Sequence, residues 1–324
     1  MGEFELIRRH FQRPTNSYPD TVALGVGDDC ALLQPTPGWQ LAVSTDMLVE
    51  GRHFFPDVAA EALGHKALAV NLSDLAAMGA RPLGFTLALS LPAADDAWLA
   101  AFARGLFALA DAHACPLVGG DTTRGPLNIC ITVMGEVQPQ QALRRDAARA
   151  GDDLYLSGRT GEARLALELM RGTDWAVGHA GMPALAQLRE RLERPTPRLA
   201  LGRALAGVAH AALDVSDGLA GDLGHILAAS GVGAVIDTAA LPVAPDLRGL
   251  PPEHRLDCLL NGGDDYELLF TAPPAQRQAV AAAAVASATP VQRIGRVHAG
   301  AGLCVREADG RERPWSPHGF DHFA

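Results

Sequence analysis

Apolar residues in the first part of the chain recur in two rhythms. TVALGVG, WQLAVSTD, GFTLALSLP and NICITVMGEV are short runs rich in Val, Ile, Leu and Thr, bounded by Gly, Pro or Asp, and this predicts strands. Between them, AAEALGHKALAVNLSDLAAM and DAWLAAFARGLFALADAHA repeat apolar positions every three or four residues, which predicts helices. Strands and helices interleave without requiring parallel neighbours, so the expected class is α+β or mixed α/β. The texture then changes at QPQQALRRDAARAGDD, a polar, arginine-rich stretch that predicts a domain junction and hence domains at 1–140 and 141–324. Beyond it, DLYLSG, GAVIDTA and YELLFTA read as strands, and GEARLALELM and LAGDLGHILAAS as helices. Another helix follows Pro195 and Pro197, and AQRQAVAAAAVASA reads as an alanine-rich surface helix.

Composition narrows the classes. The 324 residues, 48% hydrophobic and 20% charged, fit a globular chain of two ordinary domains. The start MGEFELIRRHF mixes acids with bases and has no small-residue cleavage site, which predicts no secretory signal. The alanine run near residue 280 is too weakly apolar to span a bilayer. Cys30, Cys115, Cys130, Cys258 and Cys304 lie far apart with no C-x-x-C pair, the usage of reduced thiols in a cytosolic protein without structural zinc. A soluble, cytoplasmic protein without a membrane partner is expected. A formal net charge of -10 argues against a nucleic acid partner. Lys66 is the only lysine and follows Gly-His, so no G-x-x-x-x-G-K-[ST] loop exists, and any nucleotide phosphate must be neutralised by other means.

Candidate chemistry lies in segments where an apolar run meets a tight polar cluster. These are Gly27-Asp28-Asp29, Ser44-Thr45-Asp46, Asn71-Leu72-Ser73-Asp74, Gly119-Gly120-Asp121-Thr122-Thr123, Asp214-Val215-Ser216-Asp217-Gly218 and Gly262-Gly263-Asp264-Asp265. Each alone reads as a turn or a helix N-cap. Their joint recurrence predicts carboxylates gathered at strand ends, where they would repel one another unless a cation offset the repulsion. Mg²⁺ suits them, since it takes oxygen ligands, often one or two carboxylates with waters and phosphates. The clusters hold no His or Cys, which disfavours zinc, copper and iron. Gly119-Gly120 is expected to turn sharply and offer N–H groups to phosphate. Ser216 and Asp217 are expected at a helix start, where free N–H groups favour anions. Asn71 and Asp74, three apart, share a helix face. Arg124 and Arg145 are candidate phosphate contacts and His53 a candidate ligand contact. The pattern predicts an Mg²⁺-dependent enzyme acting on the γ-phosphoryl group of ATP. A non-catalytic nucleotide- or metal-binding regulator, or turn chemistry alone, stays open.

The segments GVGDDCALL, VSTDMLVEGRHF, KALAVNLSDLAAMGARP, LVGGDTTRGP, LDVSDGLAGDLGHI, GGDDYELLF and the terminal GFDHF occur in the order found in one family. Over essentially its whole length the chain resembles the thiamine-monophosphate kinases of the AIR synthetase-like (PurM-like) ATP-binding superfamily. The resemblance implies a two-domain α+β fold, an N-terminal mixed sheet with helices followed by a C-terminal α/β sandwich, and a homodimer through the N-terminal domains. It implies several Mg²⁺ ions held by Asp29, Ser44, Thr45, Asp46, Asp74, Asp121 and Asp214, with Asp217 a further metal contact. It implies ATP contacts at Gly120, Asp121, Arg145 and Ser216, and thiamine monophosphate contacts at His53, Asp264 and Phe320. Asp46 and Asp121 would carry the catalytic metals. Position 264 is often Glu in that family and position 320 often Tyr or Trp, departures that keep charge and aromatic character. The implied reaction is direct transfer from ATP to thiamine monophosphate, giving thiamine diphosphate. Selenophosphate synthetases of the same superfamily carry a reactive cysteine near the N-terminus, and residues 1–29 contain none.

Overall fold

The strand rhythm of the first half becomes a four-stranded sheet in the computed structural model, which describes residues 2–14, 18–179 and 182–316. Helix α1 (Glu3–His10) and a ribbon of β1 (Val22–Leu24) and β2 (Leu32–Leu33) come first. The sheet takes β3 (Gln40–Val49), β4 (Arg81–Leu91), β5 (Leu117–Arg124) and β6 (Asn128–Val137) in the order β3-β6-β4-β5. β3–β6 and β6–β4 pair antiparallel and β4–β5 parallel, so the sheet is mixed. Helices α2 (Ala60–Ala77) and α3 (Asp96–Ala112) fall where the three- and four-residue spacing predicts them. Asp95 caps α3, its carboxylate accepting from the backbone N–H groups of Ala97 and Trp98.

α2 and α3 approach backbone to backbone. A Cβ on Gly64 would lie 2.1 Å from the Phe102 carbonyl oxygen, and one on Gly105 would lie 1.8 Å from that of Glu61. Two glycines one helix apart thus let the pair close up, and α2 is buried on nearly all sides. On the sheet, Ile129, Ile131, Val133, Phe85, Leu87 and Leu89 are buried. Along β3 the alternation puts Ser44, Asp46 and Leu48 inward, while Leu41, Val43 and Met47 are 56%, 62% and 52% exposed.

The chain divides into two units, Met1–Leu75 with Ala80–Gln140, and Ala76–Gly79 with Gln141–Ala324. The second is built on a seven-stranded sheet. Its strands are β7 (Asp153–Ser157), β8 (Ala211–Asp214), β9 (Gly233–Asp237), β10 (Leu268–Ala272), β11 (Val291–His298), β12 (Gly302–Arg306) and β13 (Glu312–Pro314), ordered β13-β12-β9-β11-β7-β10-β8. Only β12–β9 is parallel among these pairs. Its helices are α4 (Glu162–Arg171), α5 (Asp174–His179), α6 (Met182–Glu193), α7 (Leu199–Leu205), α8 (Leu219–Ser230), α9 (Pro252–Asn261) and α10 (Arg277–Ala286). Leu154, Leu156, Leu213, Leu269 and Ile294 of the sheet share one core with Leu223 and Ile226 of α8. Tyr155 and Phe270, paired across β7–β10, stack at 5.2 Å. The result is a two-domain α+β fold of helices and mixed sheets. Among the described residues no helix is long and apolar enough to cross a membrane.

Three local expectations are corrected. LVGGDTTR is strand throughout. Gly120 lies within β5, and its glycine is required because a Cβ there would sit 1.9 Å from the Leu87 carbonyl oxygen at φ +150°. Ser44–Asp46 likewise lie inside β3 rather than at its end. YELLF enters its strand only at Leu268, since Asp264 and Tyr266 take positive φ (66° and 51°). Strands β2 and β11 to β13 and helices α1, α5, α6 and α9 have no counterpart in the sequence pattern.

The α2–α3 contact makes a test. Gly→Ala within a helix ordinarily stabilises by about 0.5–1 kcal/mol. Gly105→Ala should instead lower stability by roughly 1–3 kcal/mol, because the added carbon must push the helices apart. A urea midpoint that drops with an unchanged slope is the expected result.

Candidate functional site

The polar residues of β3 and α2 meet across the space between sheet and helix. Ser44 Oγ donates to Asp74 Oδ2 at 2.5 Å, and the Asp46 backbone N–H donates to Asn71 Oδ1 at 3.1 Å. Asn71, almost fully buried, is itself held by donation from its Nδ2 to the Ala67 carbonyl one turn back. Asn71 and Asp74 thus share the α2 face that looks at β3. Thr45 points the other way, its hydroxyl bonded to that of Thr132 on β6 at 2.8 Å. After β3 the chain turns, and His53 Nδ1 accepts from the Val49 N–H at 3.0 Å, which leaves the ring proton on Nε2. The buried Lys66 donates to the His53 carbonyl at 3.3 Å. The single lysine therefore serves the scaffold of this turn.

Asp29 and Asp121 line a second feature of the same unit. A cleft of about 640 Å³ has Gly27, Asp28 and Asp29 on one wall and Gly119, Gly120 and Asp121 on another, while Asp46 and Asp74 are not among its lining residues. Asp28 Oδ1 accepts from the Asp29 N–H at 2.8 Å, which shapes the loop. Tyr18 holds the approach to it: its hydroxyl accepts from the Val26 N–H at 3.2 Å. Its ring lies so close to Gly25 that a Cβ there would sit 2.3 Å away. Arg124 is exposed at the end of β5. The six metal candidates of this unit thus divide three ways: Ser44, Asp46 and Asp74 between β3 and α2, Thr45 on the opposite face of β3, and Asp29 with Asp121 about the cleft.

In the second unit the segments DVSDG and GGDDYE are zipped together. The Asp264 N–H donates to the Ser216 carbonyl and the Tyr266 N–H to the Val215 carbonyl, both at 2.8 Å. Gly263 has no room for a side chain, as a Cβ would lie 2.4 Å from the Ser216 oxygen. Asp214 ends β8 and is buried; Ser216 Oγ donates to Asp217 Oδ2 at 3.3 Å. Ser216, Asp217 and Asp264 are therefore neighbours. The N–H groups expected to be free for an anion are partly taken. Asp222, in the first turn of α8, accepts from the N–H groups of Asp217 and Gly218, each at 3.1 Å. Burial pushes the Asp222 carboxyl up to about 7, against the lowering effect of those donors.

Beneath this loop the buried Asp265 accepts from the Gly161 N–H at 2.8 Å, and burial raises its pKa well above the ordinary carboxylate value. Glu267, also buried, is clamped by Arg198 at 2.5 and 2.7 Å, Arg191 at 3.2 Å and Ser157 at 2.6 Å. Glu267 and the two arginines carry no signal in the sequence because their partners are distant in the chain, and Asp222 carries none because a capping acid in a first helical turn looks like a solvated one. Arg145 stands apart. Its carbonyl accepts from Ser230 Oγ at the far end of α8 from Ser216, a helix length of about 18 Å at 1.5 Å per residue. This unit does not bring Arg145 and Ser216 together. Phe320 lies outside the described residues, and Trp315 packs against the second-unit core.

The donors around β3 and α2 are carboxylate, hydroxyl and amide oxygens, a set that fits Mg²⁺. Cys130 lies close to Asp46, and burial, then that negative charge, push its thiol up. Among the described residues no three His, Cys, Asp or Glu side chains are grouped so as to hold a metal by themselves.

Residues 27–137 match the AIR synthase related protein, N-terminal domain family, and residues 149–306 match its C-terminal domain family. A thiamine-monophosphate kinase of Escherichia coli (strain K12) is 45% identical over 326 residues, covering 100% of this chain and 98% of that protein. The crystal structure of thiamine-monophosphate kinase from Stenotrophomonas maltophilia K279a shares 50% identity with a TM-score of 0.84, covering 95% of each chain. AaThiL complexed with AMPPCP and TMP is 31% identical with a TM-score of 0.77, covering 90% of this chain and 89% of that one.

Asp222 predicts a pH signature. A carboxyl with a folded pKa of about 7 and an unfolded value of 3.8 stabilises most below 3.8 and loses that contribution as pH rises through 7. In metal-free protein, Asp222→Asn should keep the N–H acceptor and remove the loss. Its stability relative to wild type should climb by on the order of 3 kcal/mol between pH 4 and 8, read by chemical denaturation.

Proposed function

Because the chain belongs to the thiamine-monophosphate kinases within the AIR synthase related family, we propose that it phosphorylates thiamine monophosphate with ATP, giving thiamine diphosphate and ADP. The observation that carries this reading is the set of oxygen donors on β3 and α2, joined in register by Ser44–Asp74 and Asp46–Asn71. The relative crystallised with AMPPCP and TMP supports both substrates. The reaction joins two anions, and the acceptor is a phosphate oxygen already ionised near neutral pH. No strong general base is needed; alignment and charge screening are. Mg²⁺ ions, when bound, would screen the phosphates and orient the transferred group.

The chain's residues divide that work. Asp29, Ser44, Thr45, Asp46, Asp74 and Asp121 of the first unit, with Asp214 and Asp217 of the second, would hold the ions. Asp46 and Asp121 are the catalytic pair in this reading. Gly120, Arg145 and Ser216 would contact ATP, and His53, Asp264 and Phe320 thiamine monophosphate. The His53 ring is oriented by the bond that its Nδ1 accepts from the Val49 N–H. Glu267 and its arginines hold the loop that presents Asp264. Transfer is direct, because the acceptor needs no intermediate nucleophile. A homodimer is supported by the outer face of β3, an edge strand whose Leu41, Val43 and Met47 are more than half exposed. The dispersed cysteines, none of them disulfide-bonded among the described residues, favour the cytoplasm.

Purified protein with ATP, Mg²⁺ and thiamine monophosphate should form thiamine diphosphate. Asp46→Asn and Asp121→Asn should each lower turnover at least about 10²-fold at saturating Mg²⁺ with the circular dichroism spectrum unchanged. Full activity in both variants would refute the metal roles. Val43→Asp should shift the sedimenting species from dimer to monomer; an unaltered dimer would place the interface elsewhere.

A further inference from the structure

Serines at helix ends ordinarily bond back to carbonyls of their own helix. Ser287, which closes α10, does so, its hydroxyl donating to the Ala283 carbonyl at 2.8 Å. Ser230, the last residue of α8, does otherwise. Its Oγ donates to the Arg145 carbonyl at 2.8 Å and accepts from the Ala148 N–H at 3.1 Å, groups 85 and 82 positions away in the chain. One hydroxyl therefore uses its donor and an acceptor site to tie together the two ends of a single turn, residues 145–148.

That turn carries two adjacent arginines in different surroundings. Arg144 is bound bidentately on the turn itself, Nε to Asp146 Oδ1 at 2.8 Å and Nη2 to Asp146 Oδ2 at 2.5 Å, so its guanidinium is occupied. The Arg145 side chain is exposed and makes no hydrogen bond or ion pair among the described residues. Behind it, Ala148 belongs to the core shared by the sheet and α8, and Ala147 packs against that core. The backbone of Arg145 is thus fixed by Ser230 and by its neighbours, while its guanidinium is left to reach a ligand. Fixing the backbone in advance reduces the ordering that a long side chain must undergo on binding.

We propose that Ser230 is a positioning residue for Arg145, holding the turn so that this guanidinium, and not that of Arg144, meets the phosphates of ATP; the inference rests on the ATP reading above. Ser230 acts only through the Arg145 backbone. α8 then serves both of its ends, with Ser216 and Asp217 before its first turn and the Arg145 turn fastened to its last residue.

The test is equilibrium binding of AMPPCP and of thiamine monophosphate to the full-length protein in Mg²⁺. Arg145→Ala should weaken AMPPCP at least about tenfold, the loss of a contact to a charged group. Ser230→Ala should weaken it about fivefold, the worth of an ordinary hydrogen bond. Ser230→Thr, which keeps the hydroxyl, should bind as wild type does. In the Arg145→Ala background, Ser230→Ala should have no further effect, because the residue through which it acts is gone. Thiamine monophosphate should bind all these variants equally well. Ser230 is only partly buried, so the core is not threatened. Unchanged AMPPCP affinity in either single alanine variant would overturn the proposal. So would a Ser230→Ala loss that persists without Arg145 or extends to thiamine monophosphate, since that would mean a loosened unit. Wild-type protein that binds no AMPPCP would refute the ATP reading itself, and the proposal with it.

Discussion

The bonds between β3 and α2 are the constraint on which the rest depends. An edge strand and a buried helix are registered by Ser44 Oγ on Asp74 and by the Asp46 N–H on Asn71. Each bond satisfies a polar group that would be costly to leave unpaired in the half-buried space between them. The same bonds fix where the Asp46 and Asp74 carboxylates stand. α2 can occupy that position only because Gly64 and Gly105 let α3 lie directly against it. Packing of small residues on one side of the helix thus sets acid geometry on the other. Site and fold share a single set of contacts there.

The second unit solves a related problem by different means. Its Ser216–Asp217 and Asp264 segments carry no regular structure, and they are ordered by backbone bonds to one another. Below them, Glu267 gathers two arginines and a serine, while burial raises the Asp265 carboxyl well above the ordinary carboxylate value. A loop with positive φ at Asp264 and Tyr266 is strained for those residue types, and the buried network beneath it over-determines its shape. The chain has no P-loop lysine, and its one lysine donates to the carbonyl of the turn at His53.

Much of this was legible in the sequence, and the exceptions have physical reasons. The helices α2 and α3 and the strands β3, β4 and β6 follow from period and flanking residues. The polar clusters were recognisable as chemistry, but their placement was not. Alternation was the signal for Ser44 and Asp46: both fall on the inward face of β3, as a strand with polar inner positions requires. Gly120 read as a turn residue because a close strand approach and a sharp turn leave the same glycine in a sequence. Asp222 was invisible because capping backbone N–H groups from the first helical turn uses an acid indistinguishable from a solvated one. Glu267 and Arg198 lie 69 positions apart, and no local pattern pairs them. α1 gave too short a run to be assigned, although it walls the cleft.

The central claim is that the chain holds two anions in line and lets the phosphoryl group pass between them without any covalent stop on the protein. The stereochemical course at the γ-phosphorus tests this most directly, using ATP made chiral at that atom with oxygen isotopes and thiamine monophosphate as acceptor. Net inversion in the thiamine diphosphate formed is the predicted result. Net retention would require an even number of transfers, hence a phosphorylated residue, and would contradict the account.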